Sequence, residues 1–379
     1  MDTDVLVIGG GAAGLAAATR IRTRAPTTRV TLVDPSPFNT YRPWFMYALP
    51  GLLPTEDLRI SLTQMAEEHG FTFRQASVDK LDAGSGTALA DGEHIQYRRV
   101  VIASGAPSNR DAVPGAARHA VFPCDVQGFD DLRQRLDTLE SGTVTVVLTG
   151  ERIGPGLEDA AWLARTYRPP DSPGVRVRLI ADGDGFVEQF GTRAARRISD
   201  KLDSWGADVV LSTSVRSIGA DHVALSDGRK LPSTVTAVVG PLRGPHIQTS
   251  GLTDEHGFFL VESTLRSAVE PTVFVAGDAV ARGSAGLRRN WQLAVRQANV
   301  AAENAVRSLA GDPLVDFDTT RDRRLSKFFL PDVGGSAFLV WNRRLLASGT
   351  APRRIRIGFD RKHFAAYLPD DARWRRMPR

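Results

Sequence analysis

Short unbroken apolar runs, each closing on glycine or another small residue, punctuate this chain, and apolar residues at helical spacing fill much of what lies between them. A run of about four to eight apolar residues bounded by turn signals reads as a strand buried on both faces. Apolar residues three and four apart read as one face of a helix. The runs VLVI (5–8), RVTLVD, RRVVIASGA, VTVVLTG, VRVRLIADGDGF and PTVFVAGDAVA are therefore predicted as buried parallel strands. Helices are predicted for AAGLAAATR, for 58–69, and for FDDLRQRLDTLESG, DAAWLAR, FGTRAARRISDKLDSWG and RRNWQLAVRQANVAAENAVRSLAG. Two stretches, FTFRQASVDKLD with GTALADGEHIQY and then SVRSIGADHVALSDGRKLP, read as antiparallel excursions, so one order of elements occurs twice. That order predicts an α/β chain of two doubly wound domains.

At 379 residues the chain is too long for one ordinary core and has room to bury a large cofactor. The change of composition at SNRDAVPGAARHAVFPCDVQGF suits a domain crossing. The expected division is a first domain from 1–115 and 241–315, a second inserted at 116–240, and a C-terminal cap or basic tail at 316–379. The net charge of +5 changes this picture only locally, because much of the excess lies late: Arg343, Arg344, Arg353, Arg354, Arg356, Arg361, Lys362, Arg373, Arg375, Arg376 and Arg379. These arginines are not interleaved with aromatics in a nucleic-acid module, so nucleic acid is excluded as a partner. They suit peripheral contact with an anionic membrane, a solvated cap, an arm between two copies of the chain, or a cover for the active site.

Cys124 is the only cysteine, which rules out an intrachain disulfide and a dithiol mechanism and makes a reducing cytoplasm the simplest setting. MDTDVLV enters the first strand without the pattern of a secretory leader, and no window holds the roughly eighteen apolar residues of a membrane span. The expected location is cytoplasmic, with any membrane contact peripheral at the inner face. No metal-ligand spacing occurs among the histidines.

The candidate chemistry begins at the first turn. Gly9 allows a tight turn, Gly11 lets backbone approach a pyrophosphate, and Gly14 lets the helix pack close to the strand, with the helix N-terminus facing the phosphate charge. Asp34, about twenty residues beyond Gly14, closes the next strand where an acid can bind a ribose hydroxyl. Strand, glycines, helix and acid together point to a dinucleotide. The aromatic segment PSPFNTYRPWFMYALPGLLPTEDLRISL follows, offering Arg42 as a cation and Pro43 as a rigid wall, with Trp44 a candidate for shaping a substrate pocket. Later strands end in Ser104-Gly105 and in Gly277-Asp278; an aspartate there can accept hydrogen bonds from a polyol such as the ribityl chain of a flavin. Trp291 and Gln292 start the long helix beyond, whose N-terminus suits the pyrimidine end of a flavin.

The second glycine turn, Gly150-Glu-Arg-Ile-Gly154-Pro-Gly156, departs from the fingerprint: Arg152 stands where a glycine is wanted, and Pro155 lacks an N–H for phosphate. Asp182 ends the following strand without an arginine cluster behind it, favouring NADH over NADPH if a nicotinamide binds.

Over 2–311 the chain resembles flavoproteins with two dinucleotide-binding domains, most closely type II NADH:quinone oxidoreductases and their sulfide:quinone relatives. The resemblance rests on Gly9, Gly11, Gly14 and Asp34, on FNTYRPWFMYALPGLL, on Ala103-Ser104-Gly105, and on Gly277-Asp278. It implies two Rossmann-like domains, the first binding FAD through these residues together with Arg42, Pro43, Val78 and Gln292. The AQxAxQ helix start of that family is matched by Trp291-Gln292-Leu-Ala294-Val-Arg296, which keeps Gln292 and Ala294 but brings in Trp291 and Arg296, so the pocket is expected to have changed shape. Glu158 matches the glutamate that lies near the nicotinamide in the family. The cysteines of sulfide oxidation are missing. The implied function is an FAD enzyme passing electrons from NADH to a quinone or other small acceptor, with Gln292, Trp291 and Glu158 as catalytic candidates and Trp44, Trp291 and Arg296 facing substrate. The alternative is an FAD oxidase or dehydrogenase of an organic molecule whose NADH site is vestigial.

Overall fold

The computed structural model describes residues 2–150, 153–167, 174–211, 213–281, 289–325 and 327–364. The chain divides into two compact units, one made of 1–41, 59–107 and 243–326, the other of 42–58, 108–242 and 327–379. The stretch 108–242 of the second unit lies between two segments of the first, but the second unit is not a simple insertion. It also takes in the aromatic excursion after Tyr41 and the C-terminal segment.

In the first unit, strands Asp2–Ile8, Val30–Asp34, Thr72–Gln75, Glu93–Ile102 and Val273–Val275 run parallel, and the hairpin Val78–Asp82/Thr87–Ala90 continues the sheet antiparallel beyond Glu93–Ile102. The apolar runs are strands because both faces are covered: Val5, Leu6, Val7, Val100, Val101 and Ile102 are fully buried, each stabilising the fold by about 1.5–3 kcal/mol. Register then decides where the chemistry lies. Ile8 pairs with Val33 on one side and Ile102 on the other, and Ile102 also pairs with Val275. Gly9, Asp34, Ala103 and Ala276, the residues just past these, therefore share one edge of the sheet. Helix Ala12–Arg24 packs against helix Trp291–Ala310 through alanines, with Ala298, Ala301, Ala302 and Ala305 fully buried.

In the second unit, Gly142–Leu148, Val175–Ala181, Asp208–Val210 and Val235–Val239 form a parallel sheet, with Leu148 paired to both Ala181 and Val239. A three-stranded antiparallel sheet spans 215–232. The C-terminal segment folds into antiparallel strands Phe328–Phe329, Asp332–Val333, Ser336–Trp341 and Arg344–Gly349, covered by helix Thr350–Phe364.

Two expectations are corrected in detail. The helix expected over 58–69 is Leu62–His69, because Arg59–Ser61 pairs as a strand with Phe38–Thr40, and the Ser61 hydroxyl caps the helix by accepting from the Gln64 N–H. The helix expected for FGTRAARRISDKLDSWG begins at Thr192, since Phe190 belongs to a preceding helix, Gly183–Phe190, and Gly191, at φ +78°, turns the chain between them. Arg152 and the arginines beyond Phe364 lie outside the described residues.

Candidate functional site

At the first turn the glycines do different work. A Cβ on Gly9, whose φ is +105°, would collide with the backbone of Ala103 and Ser104, and one on Gly14 would overlap the Gly9 carbonyl. These two glycines are dictated by protein packing. Gly11, with an ordinary φ of -70°, is not, and Gly105 is called for by its left-handed φ of +71° rather than by packing: a Cβ at either meets nothing within 4 Å. Bare backbone that faces open space at a strand-to-helix turn is what a pyrophosphate needs for close approach. Asp34 sits beside it, one carboxylate oxygen accepting from the Gly10 N–H (2.6 Å) and the other from the Ser36 N–H (2.7 Å). Both carboxylate oxygens are thus engaged by backbone N–H groups of the turn, which fixes the carboxylate beside Gly11.

Asn39 braces the same turn, its Nδ2 donating to the Gly10 carbonyl at 2.8 Å. Its Oδ1 is buried without a partner among the described residues. Val78 is buried at the head of its strand, two residues past Ala76, whose N–H donates to the Asp34 carbonyl.

At the Val273–Val275 strand end, Gly277 adopts φ +77° and Asp278 is half-buried in a three-residue 3-10 turn. The Gly277 N–H donates to Gln297 Oε1 at 3.0 Å. Among the described residues the Asp278 carboxylate has no hydrogen-bond or ion-pair partner. Asn290 caps the next helix by accepting from the Leu293 N–H (2.8 Å). Trp291 meets Tyr41 edge to face, centroids 4.8 Å apart, while Gln292 is exposed. The Arg296 guanidinium lies over the Phe317 ring at 5.6 Å. Gly9, Gly11, Gly14, Asp34, Ala103, Ser104, Gly105, Gly277 and Asp278 thus gather on one sheet edge, the place where open α/β sheets hold nucleotides. Asp278 and Asn39 Oδ1, without partners among the described residues, and the open backbone of Gly11 and Gly105 fit a polyol dinucleotide.

The remaining candidates belong to the second unit. Arg42 donates to the Cys124 carbonyl at 3.3 Å, and Pro43 lies in the same 3-10 turn, 42–44. Trp44 is 1% exposed, and its indole N–H donates to Asp360 at 2.9 Å. Glu158 joins the same buried network: its Oε1 accepts from Arg356 Nη1 (2.6 Å) and from the Asp332 N–H (2.8 Å). Asp332 in turn accepts from the Tyr47 hydroxyl (2.7 Å) and Arg353 (2.9 Å), and Arg356 also donates to Asp360 (3.1 Å). Burial pushes the Glu158 carboxyl up against the pull of Arg356. For Arg356, burial works downward, but Glu158 and Asp360 together hold the guanidinium well above its usual range. Asp159 is 5% exposed with no partner among the described residues, and burial, then the neighbouring Glu158, raises it well above a normal carboxyl. Asp182 caps helix Gly183–Phe190, accepting from the Asp184 N–H. Cys124 is a buried free thiol.

The model of the pyridine nucleotide-disulphide oxidoreductase family matches residues 3–305. The chain belongs to this family. Its members are FAD-dependent oxidoreductases that generally use NAD(P)H. The chain is 30% identical over 302 residues to an NADH dehydrogenase-like protein of Mycobacterium tuberculosis, covering 74% of this chain and 73% of that one. It is 22% identical over 365 residues to the type II NADH:quinone oxidoreductase of Haemophilus influenzae, covering 83% and 82%. The sulfide-quinone reductase of Aquifex aeolicus is 23% identical over 266 residues, 66% of this chain and 61% of that protein's length. The solved structure of the sulfide:quinone oxidoreductase from that bacterium has the same fold, with a TM-score of 0.80 at 19% identity, over 95% of this chain and 90% of the other.

Sequence reasoning passed over Asn39 and Gln297. Asn39 lies in the quoted motif FNTYRP, but nothing in the motif alone ties it to the Gly10 carbonyl.

Proposed function

We propose that this chain binds FAD on the first unit's sheet edge and passes electrons from NADH to a quinone or another small acceptor. The observation that carries the reading is the Asp278 carboxylate, without a partner among the described residues, at a strand end that shares its edge with the open backbone of Gly11 and Gly105. Bound there, FAD supplies two-electron and one-electron relay chemistry. Gly11 and the N-terminus of helix Ala12–Arg24 hold pyrophosphate, Asp34 and Asn39 hold the adenosine side, and Asp278 holds the ribityl hydroxyls. Trp291, packed on Tyr41, and exposed Gln292 then border the acceptor. Two of the relatives are described by NADH in their names, and Asp182 suits an unphosphorylated ribose.

The network around Glu158 favours a second reading, an FAD enzyme that oxidises an organic substrate and passes electrons to oxygen. A glutamate bonded to Arg356 and to the Asp332 amide is little free to meet a nicotinamide.

Steady-state kinetics separate the two. NADH oxidation that depends on a short-chain quinone, with parallel double-reciprocal lines as the quinone is varied, supports the first reading. Absence of NADH turnover with any quinone, together with oxygen uptake on an organic donor, moves the assignment to the second.

No described helix is long and apolar enough to cross a membrane. The C-terminal segment nevertheless exposes Leu346, Ile355 and Phe359 beside Arg344 and Arg354, which suits peripheral contact with the inner face of an anionic membrane, where a quinone would be met.

A further inference from the structure

We propose that Arg289 is a positioning residue for FAD, acting through Asp278. The turn that carries Asp278 has little to hold it from within: three residues, a left-handed glycine at its start, and one internal backbone bond, from the Val280 N–H to the Gly277 carbonyl at 3.2 Å. It is gripped from outside instead. Gln297 takes the Gly277 N–H, Phe259 pairs with the far end through its N–H to the Ala279 carbonyl at 2.9 Å, and Arg289 takes the carbonyls on either side, Nε donating to that of Asp278 and Nη2 to that of Val280, both at 3.0 Å. The same guanidinium stacks on Phe258, 4.2 Å from the ring centroid.

A planar fork with two parallel donors spans two carbonyls at once, which the single ammonium of a lysine does not. Stacking on the ring face fixes the plane of that fork. The backbone on both sides of Asp278 is thereby immobilised while its carboxylate stays without a partner among the described residues, half-exposed and ready to accept from hydroxyls. Preorganising an acceptor in this way lowers the ordering cost of binding a flexible polyol.

The proposal rests on FAD binding by the first unit, and one experiment tests the two separately. Stripped protein is titrated with FAD, following flavin fluorescence, for the wild type, R289Q, D278A and the double variant, with R289K as the replacement should R289Q fail to fold. R289Q is expected to weaken FAD binding about tenfold, the effect of losing hydrogen bonds to a charged donor. Placed on D278A, the same substitution is expected to change affinity by less than about twofold, because the two residues act as one unit. Wild-type protein that does not bind FAD overturns the proposed function. Wild-type binding with no loss in R289Q, or with equal losses in both backgrounds, overturns the role of Arg289 alone.

Discussion

Gly11 and Gly14 are three positions apart and predict opposite outcomes for the same substitution. Gly14→Ala sets a methyl into the Gly9 carbonyl, an overpacking that costs about 1–3 kcal/mol and appears as a lowered Tm. Gly11→Ala meets open space and has an ordinary φ, so Tm should hold while FAD affinity falls. A lowered Tm in both would put Gly11 in the packing as well. Asp159 gives a pH prediction. Its folded-state pKa is raised by burial, so the folded chain holds its proton more tightly than the unfolded chain, and stability falls as pH rises above the ordinary carboxyl value of about 4. Asp159→Asn removes that fall. It should raise Tm at pH 7 to 8 and leave it unchanged below about pH 4 in thermal scans across pH. A gain independent of pH would assign its effect to something other than ionisation.

At the scale of elements, the strand-glycine-helix-acid unit was legible because each part depends on its near neighbours. Gly9, Gly14 and Asp34 follow from local backbone geometry, and the structure gives each the packing or hydrogen bonds that geometry requires. The network of the second unit was not legible, for its bonds join residues that have no local relation: Trp44 and Asp360 are 316 positions apart, Arg356 and Glu158 are 198 apart. The sequence shows Trp44 as aromatic and Arg356 as basic, and says nothing of their meeting Asp360 and Glu158. The helix Thr350–Phe364 depends on these bonds, since it brings three charged residues into the buried network. Arg356→Met strands the Glu158 charge and should cost about 3–5 kcal/mol by chemical denaturation. Adding Glu158→Leu should recover much of that loss. If the double variant is no better than the single, the Leu330 carbonyl and Asp360 contacts of Arg356 dominate instead.

For the whole molecule, two parallel sheets in two units follow from the recurrence of buried runs, and this much was plain from hydrophobic pattern alone. The grouping of 42–58 and 327–379 with the second unit was not, because the described residues of neither stretch form a parallel strand and their partners are set by side chains. The exposed Leu346, Ile355 and Phe359 lead to a prediction at this scale: cosedimentation with anionic vesicles that falls with added salt and is absent with neutral vesicles. Equal binding to both vesicle types would leave the arginines without a part in it. The most direct test of the central claim is an anaerobic visible spectrum of the purified protein before and after stoichiometric NADH. Flavin bands at roughly 450 nm that bleach on NADH and return on adding a quinone are the expected result. A protein without flavin bands contradicts FAD binding, and bands that persist unchanged under NADH contradict the electron path from NADH.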